Sequence, residues 1–367
     1  MKQPFTVGEI RDLGPQFTVN PDRMVGQDGA YSIRLRDRTL WFFGDTLVGE
    51  RSTGTSLWYM DGKSIRPQAL TEGWNKIDSI VHNTGALVED RTGRAGIVNF
   101  RHIRGQDGKL KQLVNLLPGE NHLTDRIWCF HGIELADKLY LYFQKIKLIP
   151  ADDSPFPVAF EVYGSGLSVG DTDTWDFRRI EYRGSTIVWD HTMPQFGAVV
   201  LVVPGDRFLY FYGVLRDSGT GQQNVYVARV PATEIENFEC YEYLSDAATG
   251  RWSDDIRTAQ VVFTGPPNEL SVAYNKYLEC YLTVHSQDVS GAIVARTSPN
   301  PWGPWSSPVH LFQVRPPEVK SPYPVLIYAA KEHPELAEAD GKRIYVTYIE
   351  FEEYYPHLLE IELVRKH

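Results

Sequence analysis

The chain of 367 residues is 42% apolar and 13% aromatic, with 9 Trp and 20 Tyr, and carries a net charge of −10. That length buries a large core as one big domain or two smaller ones, while scattered acids and the lack of any Lys/Arg stripe remove the phosphate-binding footprint of a nucleic-acid partner. No run approaches the roughly 18 apolar residues of a membrane helix, and the opening MKQPFTVGEI lacks the apolar core of a signal peptide, leaving a cytoplasmic chain or one whose export signal was trimmed.

Helical periodicity is nearly absent. Short β-branched and aromatic runs, cut by Gly, Pro, Asn and Asp about every 8–12 residues, point to an all-β sandwich, barrel or propeller. FTVGEI (5–10) reads as a lone first strand. A first unit follows with GAYSIRL (29–35), TLWFFGDT (39–46), HNTGALVED (82–90) and a fourth strand near 96–100 or 111–117. The second has GIELA (132–136), KLYLYFQ (138–144), FEVYGSGLSVG (160–170) and FRRIEY (177–182). GAVVLVV (197–203), RFLYFYGV (207–214), NVYVARVP (224–231) and FECYEYL (238–244) make the third. LSVAYN (270–275), YLECYLTVH (277–285), GAIVARTS (291–298) and WSSPVHLF (305–312) make the fourth. The fifth stops after VLIYAA (325–330), RIYVTYIEF (343–351) and HLLEIELV (357–364). KEHPELAEADGK (331–342), inside it, reads as a loop with one helical turn.

A small-residue strand followed by an aromatic one recurs five times, which two unrelated sandwiches have no reason to do. The expectation is a single all-β domain over 1–367, a five-bladed β-propeller with blades near 25–120, 121–185, 190–250, 260–315 and 320–367. Strand 5–10 would supply the missing edge of the last blade and close the ring.

The hairpin VGQDGAYSIRLRDRTLWFFGDTLVG (25–49) carries an acid at each outer end. If Arg36-Asp37 is a two-residue turn, paired residue numbers sum to 73, and Asp28 faces Asp45 at a Cβ separation of about 4.5–5.5 Å. Facing like charges destabilise a sheet and raise a pKa. They are expected where a carboxylate pair does acid–base or nucleophilic work, or holds a cation. Glycosidases use two carboxyls, about 5 Å apart when retaining and roughly 6.5–9.5 Å when inverting. The plain alternative is turn chemistry, with QDG capping a turn and GDT ending a strand.

The positions just before the other inner strands are His131, Gln195, Glu269 and Tyr323, polar where a packing ring would be apolar. Glu269 is the third carboxylate and a candidate general acid. His131, Gln195 and Tyr323 are candidate sugar ligands. So are Asn83 in VHNTG, Asp125 (with Arg126 and Trp128) entering the second unit, and Trp58 and Trp74 as stacking platforms. A lone His gives no coordination set, so no metal ligand and no cofactor is designated, and a channel calcium is left open. Cys129, Cys240 and Cys280 lack CxxC spacing and read as buried thiols. SVGDTDTWDF (168–177) and TSPNPWGPWSSP (297–308) read as structural turns, the second with Trp302 and Trp305 as packing anchors.

GQDGAYS with LWFFGDT, then VAYNKYLECYLTVHS with GAIVARTSPNPWGPWSSP, resembles the family catalogued as domain of unknown function 4185. Part of that family is classed as glycoside hydrolase family 183, the endo-D-arabinanases. The resemblance implies a five-bladed propeller hydrolysing furanoside polymers, with essential aspartates in the first blade. These map onto Asp28 in GQDG and Asp45 in FGDT. The expected function is a glycoside hydrolase cleaving an arabinan-like or related glycan, with a carbohydrate as the only designated partner and the oligomeric state open. The alternatives are a non-catalytic glycan-binding propeller and a glycoside phosphorylase of similar architecture.

Overall fold

The computed structural model describes residues 4–19, 22–52, 54–61, 63–151, 156–315 and 326–366, and nearly all their regular structure is β-strand. Five principal antiparallel sheets follow one another along the chain. Sheet one holds Tyr31–Arg34, Thr39–Phe43, Thr84–Val88 and Phe100–His102 in that order. Sheet two runs Asp125–Leu135, Lys138–Leu148, Phe160–Gly170 and Arg178–Arg179; sheet three begins with Gln195–Val202, Phe208–Arg216, Gln223–Pro231 and Glu242–Asp246. Sheet four is Leu270–Asn275, Cys280–Gln287, Ala292–Ser298 and Val309–Gln313. Sheet five is Ile327–Glu332, Arg343–Glu350, Pro356–Arg365 and, outermost, Phe5–Pro15 from the other end of the chain.

The strand hydrophobicity has a packing cause. A sheet covered on both faces buries every residue of its central strands, and Thr39–Phe43 is buried throughout, with Trp41, Phe42 and Phe43 fully enclosed. Apolar clusters lie between successive sheets. Tyr31, Phe42, Phe143 and Phe211 join sheets one, two and three; Leu270 and Tyr212 join three and four. Leu282 and Ile344 join four and five, and Tyr345 and Trp41 join five and one. The first strands of successive sheets lie side by side from sheet one to sheet five. Ser32 Oγ meets His333 Nδ1 at 2.6 Å between sheets one and five.

Phe5–Pro15 pairs with Pro356–Arg365 from Phe5↔Arg365 to Pro15↔His357, and Phe5 is fully buried beside Leu363. The N-terminal strand therefore covers an edge of sheet five that would otherwise be open.

Several elements differ from the sequence reading, each for a local reason. GIELA is only the tail of the 11-residue strand Asp125–Leu135, whose apolar start WCF was not counted. The predicted strand 39–46 breaks after Phe43. The chain then enters Thr46–Glu50, in a separate three-stranded sheet with Met24–Gln27 and Lys76–Val81. In FECYEYL, Phe238–Cys240 is a 3₁₀ turn and the strand starts at Glu242, so Cys240 is half-buried in a turn rather than buried in a strand. All three cysteines are free thiols. Residues 331–342 extend the inner strand to Glu332 and then make two 3₁₀ turns, Pro334–Leu336 and Ala339–Gly341.

The two turn motifs are structural. Asp171 accepts from the backbone N–H of Asp173 and Thr174 at 2.9 and 2.7 Å. Trp302 and Trp305 pack on Tyr210 and Tyr212 of sheet three. Among the described residues no helix is long and apolar enough to cross a membrane.

Candidate active site

The first hairpin keeps the expected register. Leu35 N–H donates to Arg38 O across the Arg36-Asp37 turn, and the ladder runs Arg34↔Thr39 to Tyr31↔Phe42. The same numerical register resumes beyond the aspartates as Gln27↔Thr46 and Gly26↔Leu47, now in the three-stranded sheet. Between the two fragments the backbone leaves the ladder. Gly29 and Ala30 have φ of 80° and 58°, and the N–H groups of Ala30 and Gly44 both donate to Asp28 O at 3.0 Å. Asp28 and Asp45 therefore sit at the corner where one hairpin passes from sheet to sheet.

Gly44 makes that corner possible. A Cβ there would lie 2.5 Å from Asp28 Oδ1 and 3.8 Å from the Trp128 ring. Gly44→Ala is expected to fold, because the clash falls on a side-chain tip, and to displace the Asp28 carboxyl. A displacement on the scale of 1 Å costs about 10²-fold in turnover, to be read as kcat beside an unchanged circular-dichroism melt.

Asp28, Asp45 and Glu269 line one cavity of about 310 Å³, together with Trp128, Tyr328 and Tyr354. Each acid has a different partner. Asp45 faces Arg126, with Nε 3.8 Å from Oδ2, and its Oδ1 is buried without a hydrogen-bond partner. Glu269 faces Lys331 at 3.4 Å. Asp28 has only phenols: the Tyr328 hydroxyl donates to its Oδ2 at 2.7 Å, and Tyr354 is a second hydrogen-bond partner. Three carboxylates thus share two cations, and Asp28 is the one that makes no ion pair with either, feeling Lys331 only as a more distant charge.

The electrostatics follow from that count. Burial pushes the Asp28 carboxyl up to about 7; Tyr328 and Tyr354 pull it down, and the charges of Glu269 and Asp45 push it further up. Burial also raises Asp45, but Arg126 and the Trp128 indole N–H favour its charged form and hold it at about 6. Glu269 is raised by burial against the pull of Lys331. The acids are coupled, and of the two aspartates Asp28 holds its proton the more firmly. Tyr328→Phe removes a donor to the charged form. The Asp28 pKa is then expected to rise by about one to two units, seen as a matching upward shift of the alkaline limb of the pH–rate profile.

Lys331 is an organising residue that sequence reasoning missed. Its ammonium, almost wholly buried, takes the carbonyls of Gly29 and Ala329 as well as Glu269, and lies 4.5 Å from the centre of the Tyr31 ring. Ala329 has φ of 59°, where the inner strand of sheet five bulges between Tyr328 and Lys331. Such bulges re-aim side chains, and this one turns Tyr328 toward the cavity.

Of the other residues singled out from the sequence, Trp128 and Trp58 line this cavity and Arg126 faces Asp45, while the rest of those described lie elsewhere. His131 lies within the inner strand of sheet two, at a bulge between Cys129 and Gly132. Its Nδ1 accepts from Val200 N–H and its Nε2 donates to Ser32 O at 3.2 Å, deeper between the first strands, and burial lowers it to about 4. Sheet two presents Trp128, Cys129, Phe130 and Phe160 at the cavity instead. Gln195 donates to the carbonyls of Asp190 and Met193. Asn83 is enclosed and spends its amide on Val114 and Ile127. Asp125 accepts from Asn121 N–H and faces Lys145 at 3.5 Å. Trp74 is half-exposed and absent from the cavity lining. Trp58 does line the cavity, but its N–H donates to Phe351 O and its ring stacks on Phe351. Tyr323 lies outside the described residues. Among those residues no cluster of three or more His, Cys, Asp or Glu is arranged to hold a metal ion.

The model of a family described as "Domain of unknown function (DUF4185)" matches residues 17–360. No curated protein sequence matches the chain. A putative hydrolase from Bacteroides ovatus has a similar structure, at 14% identity and a TM-score of 0.60, covering 96% of this chain and 87% of that one. That likeness shows a shared fold. An endo-arabinase from Bacteroides thetaiotaomicron (10% identity, TM-score 0.46, 100% and 98% of the chains) and a GH43_1 enzyme from Xanthomonas citri complexed with xylose (13%, 0.49, 92% and 87%) are more distant.

Proposed function

We propose that this chain, which belongs to the DUF4185 family, is a glycoside hydrolase built as a single five-bladed β-propeller, with the five sheets as blades and Phe5–Pro15 closing the ring. Its substrate is a furanoside-type, arabinan-like or related glycan. The observation that carries this reading is the charge count of the cavity: three partly buried carboxylates, two cations that pair with Asp45 and Glu269, and Asp28 in no ion pair.

Glycoside hydrolysis needs a proton for the departing oxygen and a negative charge for the sugar carbon. Asp28, at about 7 and without a cation, is the general acid. As the C–O bond breaks, its proton passes to the leaving oxygen. Asp45, held ionised by Arg126 and with Oδ1 unpartnered, is the general base or nucleophile. Glu269 with Lys331 sets the field around Asp28 and is the reserve acid. His131, Gln195, Asn83 and Asp125 lie outside this cavity lining, whereas Trp58 contributes an apolar face to it.

The pH dependence of sugar release tests the reading against a non-catalytic glycan-binding propeller. An ionised Asp45 requires activity to rise through about 6, and a protonated Asp28 requires it to fall through about 7. No released sugar at any pH, with sugars still raising the melting temperature, would favour the binding module.

A further inference from the structure

We propose that the cavity wall beside Asp28 is a subsite for an apolar group, aryl or alkyl, carried on the leaving side of the scissile bond. This rests on the hydrolase reading, which makes Asp28 the donor to the leaving oxygen. The two phenols that hold Asp28 belong to an apolar cluster rather than a polar one. Tyr354 and Tyr328 pack with Trp58 and Phe351, and with Phe156, Val158 and Leu326. Whatever departs with Asp28's proton therefore meets that cluster.

The polar atoms of this wall are already committed. The Trp58 N–H is bonded to Phe351 O, the Tyr328 hydroxyl and Tyr354 to Asp28, and the Asn268 amide to Gln144. Trp58 presents itself between Phe351, stacked at 4.9 Å, and Tyr354, edge-on at 5.2 Å. At the mouth Phe160 and Val289 are 44% and 40% exposed, and Phe160 stands edge-on to Trp128 at 4.9 Å. A sugar on the leaving side would lose roughly tenfold in affinity for each hydroxyl it turned unpaired against these ring faces and aliphatic carbons, so the part of it that meets this wall is an apolar substituent. An apolar substituent loses nothing and removes exposed Phe160 and Val289 surface from water.

The test uses two series of n-alkyl glycosides, methyl to octyl, on an arabinofuranose and on a glucopyranose head. Binding is measured by calorimetry on Asp28→Asn protein, and kcat/KM on the wild type. Affinity is expected to rise about fourfold per methylene until the cavity fills, and Val158→Asn, a substitution within the apolar cluster, is expected to flatten that slope. Length-dependent binding without turnover by the wild type would keep this subsite and overturn the hydrolase. Turnover with a flat series on both heads would overturn the subsite and keep the hydrolase. A slope that Val158→Asn leaves intact would place the apolar contact elsewhere and overturn the assignment to this wall.

Discussion

Asp28→Asn is expected to lower turnover by about 10³-fold, within the range for loss of a positioned general acid, and at the same time to make the protein more stable at neutral pH. The two effects share one cause. In the unfolded chain Asp28 titrates at 3.8, and in the fold at about 7. A raised folded pKa means that the fold binds the proton more tightly. The stabilisation is complete below about 4 and is lost as pH climbs through about 7. Above that point the wild type carries a buried charge that an asparagine does not, a difference of the order of 4 kcal/mol. Asparagine can still accept from Tyr328 and Tyr354. Melting curves at pH 4 and pH 8 should therefore coincide for the two proteins at the low pH and separate by several degrees at the high one. Equal melting temperatures at pH 8 would mean that Asp28 is not the strained acid of the cavity.

Lys331→Met should be the most damaging change among the groups around the cavity. It strips the cation from Glu269 and leaves the carbonyls of Gly29 and Ala329 without that partner. Both carbonyls belong to left-handed residues that have turned out of their ladders, so no neighbouring strand stands ready to take them. Removing one partner of a buried pair typically costs about 3–5 kcal/mol. The sign with pH is opposite to intuition about lysine titration. Burial raises the Glu269 carboxyl even with Lys331 present, and losing the cation raises it further. At low pH Glu269 is neutral and the damage is limited to the two carbonyls; as pH rises the unpaired charge adds to it. Urea unfolding at pH 5 and pH 8 measures this as a loss of stability that grows with pH. A constant loss would show that Glu269 does not depend on Lys331.

What the sequence made legible was local. The register of the first hairpin followed from one two-residue turn, Arg36-Asp37, and it holds on both sides of the two aspartates. Glu269 was recognisable because Leu270–Asn275 pairs without a register shift, so counting back one residue from LSVAYN lands on the cavity. The same counting misplaced His131, because the inner strand of sheet two bulges and begins six residues earlier, at Asp125. In sheet five the counting landed on Tyr323, which lies outside the described residues, and it did not find Tyr328, which the bulge at Ala329 turns into the cavity.

The partners that decide charge were beyond local reading for a different reason. Tyr328 reaches Asp28 across 300 residues of chain, Trp58 reaches Phe351 across 293, and Lys331 reaches Glu269 across 62. Those distances close only when sheet five is brought against sheet one and sheet four, which no local pattern encodes. A lysine after a small-residue strand, YAAK, was the one available signal: a cation there needs an acid to face.

The most direct measurement is sugar release from a panel of furanoside and pyranoside polymers by wild type, Asp28→Asn and Asp45→Asn, with the melting temperature of each recorded alongside. The prediction is that the wild type cleaves a furanoside polymer and that both variants, folded, lose that activity by about 10³-fold. A folded Asp28→Asn or Asp45→Asn that releases sugar at the wild-type rate would contradict it.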